Sequence, residues 1–289
     1  MFSRSFLFVP SHEERYFLSA KNTVSDYVVL DLEDSVPKNL KNFARKGIKK
    51  KISALKKKNV LVRLNQYSKL SDFEISCCVD TNTRGFVLSK IENRKDILNY
   101  IKIIKKKFKN KYQEIELYPL IENTKSIMNI NEIIKTSKNI KGCIFGHEDY
   151  LVDTKGDITI NMNALIYARS KVVNYCRANN VNPIDMAYLD IKNMIGCKNF
   201  CLESKSLGFS GMIAVYPKQI PIINEIFSPS GEDIKNAEKI VTLSKKTKDN
   251  IFLDKKGNYV GPPHLKKAKN ILSYARKLKK NWYDREKKF

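Results

Sequence analysis

Short runs of β-branched, aromatic and aliphatic residues recur along the chain at intervals too long for hairpins. They are Phe6–Val9, Tyr27–Leu30, Val60–Arg63, Gly85–Leu88, Ile115–Tyr118, Gly142–Phe145, Met186–Leu189 and Met212–Val215. Between them lie longer stretches of helical period, such as Asn93 to Phe108, where Ile97, Leu98, Ile101 and Ile104 fall on one face. Strands alternating with helices predict an α/β fold, and about eight such units predict a TIM (β/α)8 barrel. An open doubly wound sheet is the competing arrangement. No G-x-G-x-x-G follows the first run, so a dinucleotide site of that type has no support.

Two stretches interrupt the alternation. Tyr150 to Met162 reads as a long loop ahead of a helix over Asn163–Ala178, and loops of that length beside a barrel mouth serve as lids or binding loops. After the eighth strand, Phe227–Gly231 breaks the chain before a helix from Glu232 to Lys246. A second breaker, Gly257 to Pro263, leads into a basic helix from His264 to Lys280. Residues 1–230 are therefore expected to form the barrel, and residues 231–289 a C-terminal helical extension packed on it or on a neighbouring subunit.

Composition narrows the class. The 289 residues are 42% apolar, enough for a buried core, and no run approaches the roughly 18 apolar residues of a membrane helix. The apolar start is too short and too soon interrupted for a secretory signal, so a cytoplasmic protein without a membrane partner is expected. Six cysteines occur without C-x-x-C pairs and read as small buried hydrophobes. The formal charge is +24, but the lysine runs at 49–51, 56–58 and 105–107 sit inside amphipathic helical patterns. They read as solvated helix faces. No nucleic-acid partner is expected, because no helix-turn-helix, zinc-finger or aromatic RNA-binding signature accompanies them.

In a barrel of this kind chemistry sits at the C-terminal ends of the strands. Asp31, Glu33 and Asp34 follow the second run, Arg63 and Asn65 the third, Lys90 and Glu92 the fourth, Glu122 the fifth, and Glu148 and Asp149 the sixth; Asp185 and Asp190 bracket the seventh. Charges at one end of successive strands are costly to bury unless they pair or bind an ion. Glu122 and Asp149 stand at consecutive strand ends, and two carboxylates with room for water suit Mg²⁺. Arg63 suits a substrate carboxylate, with Glu33 and Asp34 orienting its guanidinium; catalytic roles are expected for all three. Together they suit a 2-keto acid whose enolate needs positive charge. A salt-bridge network closing the barrel rim is the other reading of Asp31, Glu33 and Asp34.

The segments Arg4–Pro10, Asp31–Val36, Val62–Asn65, Ile121–Thr124, Gly146–Asp149 and Phe227–Ser230 resemble, in order, the signature segments of the citrate lyase β-subunit-like family. That resemblance spans nearly the whole chain and implies a TIM-barrel C–C lyase or aldolase. It also implies Mg²⁺ on Glu122 and Asp149, Arg63 at the keto-acid end, and cofactor contacts at Arg4 and Lys90. A keto- or hydroxy-acid substrate, a CoA thioester and a homotrimer are implied with it; an aldolase working without CoA, or a catalytically idle metabolite-binding barrel, are the alternatives. The departures are specific. Ser11-His12-Glu13-Glu14 stands where CoA-binding members have Gly-Asn-Arg-Pro, Ser19 replaces a Lys, Tyr216 replaces a His, and Gly261 stands where an Asp acts as acid or base. His12, His147 and Asp254 are candidates to replace that Asp.

Overall fold

The computed structural model describes residues 3–159, 161–247, 251–253 and 257–286, and these form two compact units meeting in sequence at 224/225. In the first unit eight parallel strands close on themselves. They are β1 (Ser5–Pro10), β2 (Tyr27–Asp31), β3 (Val60–Leu64), β4 (Thr83–Leu88), β5 (Glu116–Ile121), β6 (Gly142–Phe145), β7 (Asn182–Asp185) and β8 (Gly211–Ala214). Closure is made by β1 on β8, with Ser5 opposite Met212 and Leu7 opposite Ala214. The second unit holds the helices Gly231–Thr247 and Pro262–Glu286 and a two-stranded antiparallel hairpin, Phe252–Leu253 with Tyr259–Val260.

Strand residues alternate between the barrel interior and the helical shell, and both faces are buried, which is why these runs are apolar throughout rather than every second residue. The interior is filled by Phe6, Tyr27, Val29, Leu61, Val87, Tyr118, Leu120, Ile144, Ile184 and Ile213, with Phe8 packed against them. Near the strand starts Phe6 stacks on Tyr27 with ring centroids 4.7 Å apart, and the Tyr27 hydroxyl donates to buried Glu116 at 3.0 Å. That polar plug closes the N-terminal end, so the open end is the C-terminal one. In the shell, helix Arg94–Phe108 starts on a reciprocal cap in which Asn93 and Asp96 each bond the other's backbone N–H, and it buries Ile97, Tyr100, Ile101, Ile104 and Phe108. Leu98 lies at the edge of that stripe, partly exposed.

Three expectations are corrected. The seventh strand is Asn182–Asp185, four residues ahead of the apolar run Met186–Leu189; that run follows the strand, and Met186, Ala187 and Leu189 line the cleft described below. Tyr150 to Thr154 belongs to a helix, His147–Thr154, so the connection before helix Asn163–Ala178 begins only at Lys155. The final helix begins at Pro262, where a proline is tolerated because a first-turn N–H has no helical partner. All six cysteines are free thiols and five of them are buried. Among the described residues no helix is long and apolar enough to cross a membrane.

Candidate active site

The C-terminal strand ends open into a cleft of about 710 Å³. One side is charged, with Asp31, Asp34, Arg63, Glu122, Glu148 and Asp149 in its wall; the other is apolar, with Phe8, Leu120, Phe145, Met186, Ala187, Ile213 and Val215. Arg15 and Tyr16, on helix Glu14–Lys21, stand at its edge and are exposed.

Strand register builds the first half of the charged side. Asp31 and Arg63 are directly opposite on β2 and β3, so their side chains leave the barrel together. Arg63 Nε donates to Asp31 Oδ1 at 2.7 Å and Nη2 to Oδ2, a two-pronged pairing that fixes the guanidinium plane. Nη1 lies 3.2 Å from Glu33 and 3.9 Å from exposed Asp34. Thus the main partner of Arg63 is Asp31, with Glu33 second and Asp34 marginal. The rim network and the oriented arginine are one arrangement. Burial disfavours ionised Asp31, yet the charge and hydrogen bonds of Arg63, with those from Ser35 and the Glu33 N–H, hold its carboxyl below the usual range. Burial opposes the charge of Arg63 as well, and the three carboxylates push its pKa up. Glu33 is pushed up to about 7, chiefly by burial and then by Asp34.

The second half is organised by Lys90, which follows β4 in a left-handed conformation (φ 54°) that a lysine rarely adopts. That turn aims its backbone N–H at Glu122 Oε1, 2.6 Å away, while its ammonium bonds Asp149 Oδ2 and lies 3.8 Å from Asp34. Backbone strain of this sort persists where the surroundings over-determine it. Burial lowers the pKa of the ammonium, but the hydrogen bond to Asp149 and the charges of Glu122 and Asp34 raise it further. Glu122 is only 2% exposed, and its carboxyl is pushed up to about 8 by burial, despite Lys90 and aided by Asp149 and Glu33. Gly146 allows this close packing, because a Cβ there would stand 2.9 Å from Glu122 Cβ.

The pair therefore has the properties of a hard-cation site. Glu122 is a buried carboxylate short of positive charge, Asp149 is a half-exposed carboxylate beside it, and Lys90 supplies the counter-charge between them. Among the described residues no group of three or more His, Cys, Asp or Glu is placed to share a metal. Two carboxylates with the remaining positions left to water and substrate fit Mg²⁺, which holds on to its waters, and not a closed zinc site.

Other expected residues are placed elsewhere. Arg4 precedes β1 at the opposite end of the barrel, and its guanidinium and backbone N–H are committed to Asp26 at 2.8–3.0 Å, so the cofactor contact expected of it is withdrawn. His12 is not in the cleft wall; its Nε2 is 3.5 Å from Glu13. His147 is in the wall, bonded to Glu148 at 2.8 Å, and burial holds its pKa down. Asp185, the last residue of β7, is fully buried in an ion pair with Arg169. Asp254 lies outside the described residues. Asp31 is the partner of Arg63 that its position at a strand end did not single out from Glu33 and Asp34; the strand register does so.

A profile described as HpcH/HpaI aldolase/citrate lyase matches residues 4–217. Mitochondrial citramalyl-CoA lyase of Mus musculus is 27% identical over 96% of this chain and 87% of its own length. Citrate lyase subunit beta of Haemophilus influenzae is 25% identical over 94% and 97%. Among solved structures, a citrate lyase from Burkholderia xenovorans superposes with a TM-score of 0.83 at 14% identity, over 95% of this chain and 92% of its own. The CitE protein of Mycobacterium tuberculosis, in complex with magnesium, acetoacetate and coenzyme A, superposes with a TM-score of 0.78 at 21% identity, over 94% and 98%.

Proposed function

The chain belongs to the HpcH/HpaI aldolase/citrate lyase family, and from that premise we propose that it is a Mg²⁺-dependent carbon–carbon lyase acting on a hydroxy-acyl thioester of coenzyme A. In the cleavage direction the hydroxyl oxygen loses its proton and becomes a carbonyl, and the adjacent C–C bond breaks. Its electron pair passes to the thioester half, which takes up a proton; the products are a 2-keto acid and an acyl-CoA. The observation that carries this reading is the convergence of Arg63, Glu122 and Asp149 on one cleft, with Lys90 bonded to both carboxylates.

Glu122 and Asp149 would hold the metal, which would supply a Lewis acid to the reacting oxygen of the substrate. Arg63 binds the acid end. Its guanidinium has five N–H groups, of which Asp31 takes two while Glu33 lies 3.2 Å from Nη1, and those that remain serve a substrate carboxylate in a plane already fixed. That fixed charge lies where negative charge grows as the bond breaks, so little reorganisation is needed at that moment. The ring of Phe8 lies against it, its centroid 5.4 Å from the guanidinium carbon. Lys90 keeps Glu122 pointed into the cleft through its N–H and balances Asp149 with its ammonium.

Calorimetry with Mg²⁺ tests this with pyruvate, glyoxylate and oxaloacetate, each with and without acetyl-CoA, on the wild type and on Glu122→Ala. Binding that needs Mg²⁺, strengthens with acetyl-CoA and disappears in Glu122→Ala is the expected result; no binding of any keto acid sinks the reading. A CoA-independent aldolase is the second reading, favoured by Glu13 and Ser19 at positions where CoA-binding members carry cations. Keto-acid binding indifferent to acetyl-CoA selects it. The same proposal includes a homotrimer, which sedimentation equilibrium reads directly.

A further inference from the structure

Gln219 follows β8 at the start of helix Gln219–Ile226 and is fully buried. Its Oε1 accepts the backbone N–H groups of Val215 at 3.0 Å and Tyr216 at 3.1 Å, and its Nε2 donates to the carbonyl of Tyr188 at 2.7 Å. One amide side chain thereby joins the segment leaving β7 to the segment leaving β8. The β7 segment is tied at its ends as well, by Asp185 accepting the Met186 N–H at 2.9 Å and by Asn193 capping helix Met194–Leu207. Leu189 and Ile191 on the β7 segment, and Val215 on the β8 segment, remain 40–51% exposed although all three line the cleft. Large aliphatic side chains held in water on two cross-linked backbones form a surface prepared for an apolar ligand, since covering them recovers free energy that folding has left unclaimed.

We infer that Gln219 is a positioning residue that holds Leu189, Ile191 and Val215 as one fixed wall, against which the uncharged arm of the substrate lies. The inference rests on the proposed lyase reading for which end of the substrate is the acid: Arg63 and the two metal-holding carboxylates take that end, and the wall takes the aliphatic remainder in the same cleft. It makes the substrate a hydroxy or keto acid with an uncharged chain beside the acid, and it disfavours one with a second carboxylate there.

The test uses the full chain with Mg²⁺ and a series of unbranched 2-keto acids from pyruvate upward, measured by calorimetry. Affinity should rise by about fourfold for each methylene that the wall covers. Gln219→Glu, assayed at a pH above the pKa of its carboxyl, keeps an acceptor for Val215 and Tyr216 but cannot donate to Tyr188, so it should flatten the series while pyruvate affinity changes less than twofold. Ile191→Ser, at an exposed position, should flatten it without touching the amide. Backbone hydrogen exchange in residues 186–191 should rise by tenfold or more in Gln219→Glu and stay unchanged in Ile191→Ser. Wild-type affinity that does not rise with chain length overturns the wall, and unchanged exchange in Gln219→Glu overturns the clamp. If no 2-keto acid binds the wild type, the lyase reading has failed, and the exchange experiment alone decides whether Gln219 holds the two segments together.

Discussion

Arg63 derives its value from being held, since a planar cation gripped on one edge by Asp31 offers its other edge in a fixed direction. Lysine retains the charge but neither the plane nor the two-pronged pairing. Arg63→Lys should lower kcat/KM by about 10²-fold or more, with Mg²⁺ affinity unchanged in a metal titration. Glu33 and Asp31 respond to pH with opposite signs. Asp31, held below its ordinary value, adds stability that is complete above about pH 4 and lost as pH falls through its folded-state pKa. Glu33, raised from 4.5 to about 7, adds stability that is complete below pH 4.5 and lost as pH rises through about 7. Thermal unfolding of the wild type between those limits should therefore carry a falling contribution that Glu33→Gln removes, seen as a flatter Tm profile from about pH 4.5 to about 7.

At the scale of elements, the approach of β6 to β5 depends on Gly146. Adding a methyl group there meets the Cβ of Glu122, which cannot swing away as a side-chain tip can. Gly146→Ala should cost about 1–3 kcal/mol in urea unfolding and weaken Mg²⁺ binding at the same time, a pairing that a shell substitution would not produce. The strands were legible wherever burial on both faces made a continuous apolar run, as at Tyr27–Leu30 or Gly142–Phe145. β7 was not, because Asn182-Pro183-Ile184-Asp185 has a single strand-forming residue and the neighbouring apolar run belongs to the cleft wall. Charges at strand ends pointed to Arg63, Glu122 and Asp149, which the fold brings to one cleft, since ionised groups there must have a reason to be buried. The left-handed turn at Lys90 and the bridge made by Gln219 had no such signal: each depends on contacts between segments 31–59 residues apart. Arg4 misled for the complementary reason. A motif residue close in sequence to the site is at the far end of a strand from it.

The whole molecule carries a formal charge of +24, while the charged side of its cleft is largely acidic. The excess lies on outer helix faces, with Lys49, Lys50, Lys105 and Lys106 all exposed. Such a field draws anions toward the protein at long range and leaves their final placement to the cleft. Raising ionic strength from about 50 to about 500 mM, with Mg²⁺ held constant, should lower kcat/KM for an anionic substrate severalfold and leave kcat unchanged in stopped-flow or steady-state assays. The barrel also separates its polar groups by end: Tyr27, Glu116 and Asp26 pair at one mouth, and the charged residues of the cleft gather at the other. Lys90 has a consequence for the life of the chain before it ever meets a substrate. Small zinc domains must capture their ion in order to fold, because their ligands repel one another until it arrives. Here an ammonium already sits against Asp149 and an amide proton against Glu122, so the two carboxylates are partnered without an ion, and on the proposed lyase reading the newly made barrel would close first and be loaded with its metal afterwards.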